Sequence, residues 1–174
     1  MRRITLIIIA MLLSVAAFAQ KTFDTDFTQT KVMKVSGKIT NKEGHLVFDG
    51  NDQLSMTYTQ PEGEYFIIDG NMVKINLDGK KVELDAEKVK MVQLQRATLL
   101  NCLSGNWEQA AEDNNADLTV SDGKVFRTVS IVARTKAPKG GYNSVELTYR
   151  LSDDMLTKMV LVDNLGIQNT YELK

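Results

Sequence analysis

Few side chains in this sequence could carry out chemistry. The 174 residues include a single histidine, His45, and a single cysteine, Cys102. Metal sites built on histidine and cysteine need several such ligands, so they are nearly excluded. A serine–histidine–aspartate arrangement would have to use His45, and no nucleophile-elbow pattern surrounds any serine. We therefore expect Cys102 to be a small core residue, and without a second cysteine it cannot form an intrachain disulfide.

The other polar motifs do not fit an active site either. Acids at positions 24, 26, 153 and 154 could be Ca²⁺ ligands, but EF-hand spacing and its bidentate glutamate are absent, so we expect solvated turn acids. The segment Lys139-Gly140-Gly141 lacks the GxxxxGK[ST] spacing of a phosphate-binding loop. No pair of acids stands out for hydrolysis. We therefore predict no catalytic residues, no metal and no cofactor, and a protein that is not an enzyme.

The N-terminus has the composition of an export signal. Arg2 and Arg3 precede an apolar run, Ile4 to Ala16, and Ala17-Phe18-Ala19 is a small-x-small cleavage site. A retained membrane anchor is the alternative, but no cysteine follows the cleavage site, as a lipoprotein anchor would require. We predict a signal peptide over residues 1–19, cleaved after Ala19, and a single domain over residues 20–174. Export without disulfides is typical of the bacterial periplasm.

Charge narrows the class of partner. Removal of Arg2 and Arg3 leaves 19 basic and 22 acidic residues, a net charge of −3. No basic stripe is present that could contact phosphates, so a nucleic-acid partner is not expected. The mature chain is long enough for one sizeable core, and we expect a monomer.

The stretch from Gly44 to Leu84 predicts an antiparallel meander of about five strands. Short apolar runs alternate there with Asn-, Asp- and Gly-containing turns, whose residues accept the backbone angles that tight hairpins need. Leu54, Met56 and Tyr58 alternate with serine and threonine, which predicts one apolar face and one solvated face.

The rest of the chain predicts more sheet and one substantial helix. We expect a strand over residues 27–35 and a polar link over residues 36–43. Apolar residues at three- and four-residue steps indicate a helix from Ala86 to Leu103, with Asp85 as N-cap and Gly105 as its left-handed end. A further helical turn (107–111) and strands as far as residue 173 follow. The predicted fold is mainly β with α: one curved antiparallel sheet of about eleven strands, an incomplete β-barrel, with the helix covering its concave face.

Several segments together resemble a known family. They are, in order, Phe27-Thr28-Gln29, Gly44-His45-Leu46-Val47-Phe48, the strand from Leu54 to Pro61, Ile67-Ile68-Asp69-Gly70, and the two segments 160–166 and 170–173. Their order and spacing after a signal peptide resemble the LolA-type periplasmic carriers of outer-membrane lipoproteins. The resemblance spans most of the mature chain. It departs from the family at two points. Where the family has an N-terminal lid helix, Gln20 to Asp26 leave room for about one turn before Phe27, and Gly50-Asn51 stands where an Arg-Pro pair is usual.

The resemblance implies a function as well as a fold. In that family an apolar half-barrel cavity takes the acyl chains of a lipoprotein from an inner-membrane, ATP-driven release complex. The carrier then crosses the periplasm and delivers the lipoprotein to an outer-membrane receptor. A carrier of another lipid is one alternative. An envelope-stress regulator that shares the half-barrel and binds a partner protein is another.

Burial of an acyl chain needs an apolar surface and a cover, not a catalytic group. Each methylene removed from water contributes roughly 0.8 kcal/mol, so a sixteen-carbon chain gains on the order of 12 kcal/mol before ordering costs. We expect the cavity to be lined by inward-facing strand residues and by the apolar stripe of the helix. These candidate ligand-binding residues are Leu46, Phe48, Leu54, Met56, Tyr58, Val92, Leu99 and Leu103.

The export signal makes a direct prediction. The protein recovered from the periplasmic fraction should begin at Gln20, because signal peptidase cleaves after a small-x-small sequence. Intact-mass measurement of the purified protein checks this. Recovery from the membrane fraction with Met1 to Ala19 still attached would contradict it.

Overall fold

The computed structural model describes residues 21–174, so the predicted signal peptide lies outside the described residues. The chain forms eleven strands and two α-helices over that range. In chain order they are β1 (Phe23–Met33), β2 (Lys38–Phe48), β3 (Gln53–Gln60), β4 (Glu62–Asp69), β5 (Met72–Leu77), β6 (Lys80–Asp85), α1 (Lys90–Ser104), α2 (Trp107–Asp113), β7 (Ala116–Asp122), β8 (Phe126–Ala133), β9 (Tyr142–Arg150), β10 (Met155–Asp163) and β11 (Ile167–Leu173).

All eleven strands belong to one open antiparallel sheet. Its strand order is β6-β5-β4-β3-β2-β1-β11-β10-β9-β8-β7. Two meanders, β1–β6 and β7–β11, are therefore joined by the pairing of the first strand with the last. The two edge strands, β6 and β7, are connected along the chain by α1 and α2. This architecture confirms the predicted fold class and strand count.

One ion pair shows how far the sheet curls. Asp78, in the turn between β5 and β6, places Oδ2 3.2 Å from Nζ of Lys31 on β1. Neighbouring strands lie about 4.8 Å apart, so four strand steps would separate β5 from β1 by about 19 Å in a flat sheet. The β2–β6 half therefore curls back toward β1, and the sheet has a concave face.

The alternation of β3 is as predicted. Leu54, Met56 and Tyr58 are buried on the concave side, whereas Thr57 and Thr59 are exposed. The same period brings apolar side chains from both meanders into one core, which is closed by the two helices.

The β1–β2 hairpin is longer than predicted. The structure corrects two boundaries: β1 begins at Phe23, and the expected polar link over residues 36–43 is largely the first half of β2. Each strand has 11 residues, paired from Phe23↔Phe48 to Met33↔Lys38. Ladder hydrogen bonds do not require apolar side chains, so a polar pair of strands gives no alternation signal. Val35, expected at the end of the strand over residues 27–35, lies in the turn and is 97% exposed.

The start of α1 also differs from the prediction, and the expected N-cap is wrong. Asp85 is the last residue of β6, and its Oδ1 accepts the Glu87 N–H at 3.0 Å within a turn. The helix starts only at Lys90. Its end is as predicted, since Gly105 has φ 88° and its N–H bonds back to the last turn. A carboxylate can satisfy a turn as readily as a helix N-terminus, which explains the shift.

Contacts with two loops position α1 on the sheet. Arg96 Nε donates to the Gly70 carbonyl, between β4 and β5, at 2.5 Å. The loop before β9 passes so close that a Cβ on Gly140 would lie 2.5 Å from the Met91 carbonyl oxygen. Gly140 also has φ +85°, a conformation that side chains disfavour. The absence of a side chain at this position therefore allows the loop to pack against α1.

The second helix, α2, agrees with the predicted further helical turn. Trp107 Nε1 donates to the Tyr149 hydroxyl at 3.4 Å, and that hydroxyl donates to the Cys102 carbonyl at 3.3 Å. Asn114 Nδ2 donates to Thr98 Oγ1 at 2.7 Å, which ties the end of α2 to α1. Cys102 is fully buried, as expected of a core residue.

Replacement of Gly140 tests how α1 is positioned. Gly140→Ala should lower the free energy of unfolding by about 2–4 kcal/mol, because the methyl group both strains the backbone and collides with α1. Gly37→Ala is the matched control, since Gly37 has φ +67° but nothing within 4 Å of an added Cβ. The control should cost only about 1 kcal/mol. Urea denaturation measures the free energy of unfolding of both variants. An equal decrease in the two would show that the loop does not pack against α1.

Candidate functional site

A cavity of about 220 Å³ lies between α1 and the concave face of the sheet. One wall comes from β2 and β3, the other from β10 and β11, and α1 contributes the cover. Its apolar lining includes Leu46 and Met56 on one wall, Met159 and Leu161 on the other, and Leu103 on the cover. The cavity is thus assembled from both meanders and from the helix that connects their edges.

Six of the eight predicted site residues line this cavity: Leu46, Leu54, Met56, Tyr58, Leu99 and Leu103. The other two are buried without lining it. Phe48 stacks on Phe23 with ring centroids 6.1 Å apart, and Val92 lies in the first turn of α1, packed into the core. Period-two and helical spacing predict which face each residue occupies, but not its position along the groove.

The second wall of the cavity has no counterpart among the predicted site residues. Met159 and Leu161 on β10 and Tyr171 on β11 line the cavity opposite β3. The alternation within β10 and β11 is visible in the sequence. What brings these strands to the cavity is the β1–β11 pairing, for example Gln29↔Tyr171. No local pattern in the sequence indicates a pairing between the two ends of the chain.

The size of the cavity suits part of a hydrocarbon chain. A water molecule takes up about 30 Å³ in the liquid, and a methylene group is similar in size. A volume of 220 Å³ therefore holds on the order of seven such groups. The rest of a long acyl chain would extend beyond the mouth of the cavity or require α1 to shift.

A polar network crosses one end of the cavity. Gln29 Nε2 donates to Asn169 Oδ1 at 2.9 Å and to the Tyr171 hydroxyl at 3.2 Å. Tyr171 is in turn hydrogen-bonded to Tyr58. Burial raises the pKa of Tyr58 to about 12 and that of Tyr171 well above its ordinary value. All of these groups are therefore uncharged at neutral pH.

Four charged residues from three strands and one turn meet at the mouth of the cavity. We call them the rim cluster: Lys31, Lys42, Glu64 and Asp78. Lys42 Nζ lies 2.5 Å from Glu64 Oε2 and 2.9 Å from Asp78 Oδ1. Asp78 also pairs with Lys31, and its N–H donates to Glu64 Oε1 at 2.9 Å. The Lys42 side chain is only 7% exposed. Two cations and two anions balance within this cluster.

Lys42 and Asp78 of the rim cluster stay ionised at neutral pH. Burial lowers the pKa of Lys42, but hydrogen bonds from its ammonium group to Glu64 and Asp78 outweigh this, so its pKa is raised. The same bond to Lys42 is the main reason that the pKa of Asp78 is lowered. Each partner thus stabilises the charged form of the other.

The histidine and the cysteine both lie outside the cavity. His45 faces outward, with Nδ1 2.9 Å from Asp26 Oδ1 and Nε2 3.0 Å from Asp24 Oδ1, and the bond to Asp26 raises its pKa. These two acids are therefore paired with His45 rather than simply solvated. Burial raises the pKa of the Cys102 thiol to about 12, so no thiolate forms at neutral pH.

Residues 21–174 show no arrangement suited to a metal ion or to a membrane span. No group of three or more histidine, cysteine or acidic side chains in this range could hold a metal ion. No helix among these residues combines the length and apolarity needed to cross a membrane.

Comparison with known proteins gives one family. The model described as "Outer membrane lipoprotein carrier protein LolA" matches residues 19–174. Among solved structures, a LolA superfamily protein from Nitrosomonas europaea is similar at 10% identity and a TM-score of 0.42, over 90% of this chain and 85% of that one. A DUF1329 family protein from Desulfovibrio piger follows at 8% identity and 0.40, over 89% and 84%. A putative outer membrane lipoprotein-sorting protein domain from Vibrio parahaemolyticus is similar at 9% and 0.38, over 87% and 83%. The comparison with curated proteins found no match.

Removal of the buried lysine tests the rim cluster. Lys42→Met should lower the free energy of unfolding by about 3 kcal/mol, because Glu64 would keep a largely buried charge without its ammonium partner. Lys31→Met is the matched control. The Lys31 side chain is 28% exposed and pairs with Asp78, so its removal should cost under about 1 kcal/mol.

At acid pH, the difference in the free energy of unfolding between Lys42→Met and the unmodified protein should become smaller. Asp78 has a lowered pKa, so its contribution to stability is present above its unfolded pKa of about 3.9 and is lost as the pH falls through the folded value. Urea denaturation at pH 7 and near pH 3 measures both effects. Similar small decreases for both lysine variants at pH 7 would contradict a buried cluster.

Proposed function

The chain belongs to the family of LolA outer membrane lipoprotein carrier proteins, and from this premise we propose that it is a periplasmic lipoprotein carrier. The acyl chains of a lipoprotein bind in the cavity under α1, and the protein moves them from the inner to the outer membrane. An inner-membrane release complex is the donor, and an outer-membrane receptor accepts the cargo. Cleavage after Ala19 places the carrier in the periplasm.

The observation that carries this proposal is a cavity inside the core that is lined mainly by apolar side chains. Apolar side chains from two walls and a helix face one another across about 220 Å³ of space. A hydrocarbon chain between them would gain dispersion contacts with the lining atoms. About seven methylene groups, at roughly 0.8 kcal/mol each, gain on the order of 6 kcal/mol from leaving water. Binding of this kind needs no catalytic group.

Helix α1 is the natural cover of the cavity. Leu99 and Leu103 contribute the apolar underside, and Gln95 lies beside the Tyr142 hydroxyl, to which its Nε2 donates at 3.3 Å. Arg96 adds a hydrogen bond to the Gly70 carbonyl. Displacement of α1 along this side would open the cavity while the sheet keeps its hydrogen bonds.

A carrier of another acyl lipid is the second candidate. The apolar lining supports it, because dispersion contacts and exclusion of water do not distinguish one hydrocarbon chain from another. The two candidates share the cavity and differ in what is attached to the chain.

Two neighbouring residues on β3 test the cavity. Met56 lines it, whereas Thr57 is exposed on the opposite face. Met56→Glu should abolish binding of a fluorescent acyl probe, because a carboxylate there would be desolvated without a partner and would remove apolar surface. Thr57→Glu should leave the affinity within about twofold, since exposed substitutions usually change free energies by less than about 0.5 kcal/mol.

Circular dichroism must first show that both variants are folded. Fluorescence titration then gives the dissociation constants. The proposal is overturned if the unmodified protein binds no acyl probe, or if both variants lose affinity equally.

A further inference from the structure

The charged residues that line the cavity leave no cation available to a ligand. Four charged side chains contribute to the lining in the described part of the chain: Lys31, Lys42, Asp78 and Asp163. Both lysines are already paired within the rim cluster. Asp163 is the second acidic residue of the lining. Its Oδ1 accepts the backbone N–H groups of Leu165 and Ile167 at 2.8 and 2.9 Å. With Glu64 included, the local charge is −1.

The fold holds this arrangement in place. Asp78 adopts φ 51° in the β5–β6 turn, and the curl of the sheet brings it to Lys31 on β1. The ammonium group of Lys42 also lies 5.5 Å from the centre of the Tyr58 ring. Its side chain is enclosed, so it cannot turn toward an incoming head group without leaving two carboxylates behind.

We propose that the rim cluster is a selectivity element that admits acyl chains with neutral head groups and rejects acyl chains that end in an anion. Glu64 and Asp78 are its specificity-determining residues, since they occupy the two lysines that would otherwise attract a carboxylate or phosphate. This inference rests on the proposed carrier function and adds the chemical class of the ligand: acyl esters or amides, as opposed to free fatty acids or anionic phospholipids.

The physical reason is the negative local charge at the rim, where both lysines already have carboxylate partners. A ligand carboxylate there would face Asp78 and Asp163 and would find both lysines occupied. To pair with Lys42 it would have to displace an existing carboxylate partner. An ester or amide carries no net charge and meets no such repulsion.

Two lipids with the same twelve-carbon acyl chain test whether binding depends on the charge of the head group. Monolaurin is a neutral ester, and laurate is an anion at pH 8. Each is used below its aggregation concentration to displace a neutral fluorescent acyl ester. The unmodified protein should bind monolaurin at least tenfold more tightly than laurate. This preference should narrow as the pH is lowered toward 5, where laurate becomes protonated.

Two variants should weaken the preference to about threefold or less. Glu64→Gln and Asp78→Asn each remove one negative charge and leave the two lysines with a single carboxylate between them. Asparagine tolerates the left-handed conformation at position 78. Asp122→Asn is the matched control, because Asp122 pairs with Arg127 at 2.7 Å on the β7–β8 hairpin and does not line the cavity. It should keep the tenfold preference.

The outcomes separate this inference from the carrier function. Equal affinity of the unmodified protein for the two lipids would overturn the inference and leave the carrier function standing. An unchanged preference in both Glu64→Gln and Asp78→Asn would also overturn it. Failure of either lipid to displace the probe, together with no binding of the probe itself, would overturn the carrier function and the inference together.

Discussion

The pairing of β1 with β11 is the interaction on which the rest of the structure depends. Seven residue pairs, from Phe27↔Leu173 to Met33↔Ile167, join two meanders that would otherwise be separate sheets. Thr25 Oγ1 extends the seam with a bond to the Lys174 carbonyl. Because β1 and β11 lie at the centre of the sheet, its free edges are β6 and β7, and the segment between them is α1 and α2. The connection between the two edges therefore has to cross the sheet, and α1 does so over the cavity, which it lines with Gln95, Leu99 and Leu103.

This arrangement explains how the protein can keep a space inside its core. Ladder hydrogen bonds and buried side chains on both meanders hold the sheet, so the cavity does not have to be filled for the sheet to persist. The cost is the dispersion energy that the lining atoms forgo around the space. Close packing concentrates elsewhere, for example where Phe23 stacks on Phe48 and where Tyr149 meets Trp107. Stability and the binding space are thus located in different parts of one core.

Much of this could be predicted from the sequence, because alternation and turn residues are local signals. They correctly indicated the face of Met56, the left-handed end of α1 at Gly105 and the strand count. The failures have two causes. The second cavity wall around Met159 and the ion pairs of Lys42 depend on residues distant in sequence. The polar first half of β2 pairs with the neighbouring β1, but without apolar side chains it has no alternation to reveal it. A lysine that is nearly buried looks, in the sequence, like any solvated lysine.

The rim cluster answers a problem that arises wherever an apolar cavity opens to water. An open apolar mouth would be an exposed patch, which favours association with other surfaces. Charged residues at the mouth keep water at the boundary, but unpaired cations there would also attract anionic lipids. Pairing Lys31 and Lys42 with Asp78 and Glu64 keeps the boundary polar while cancelling its attraction for anions. The same pairs tie the β5–β6 turn to β1, so the groups that govern what enters the cavity also hold the curvature that forms it.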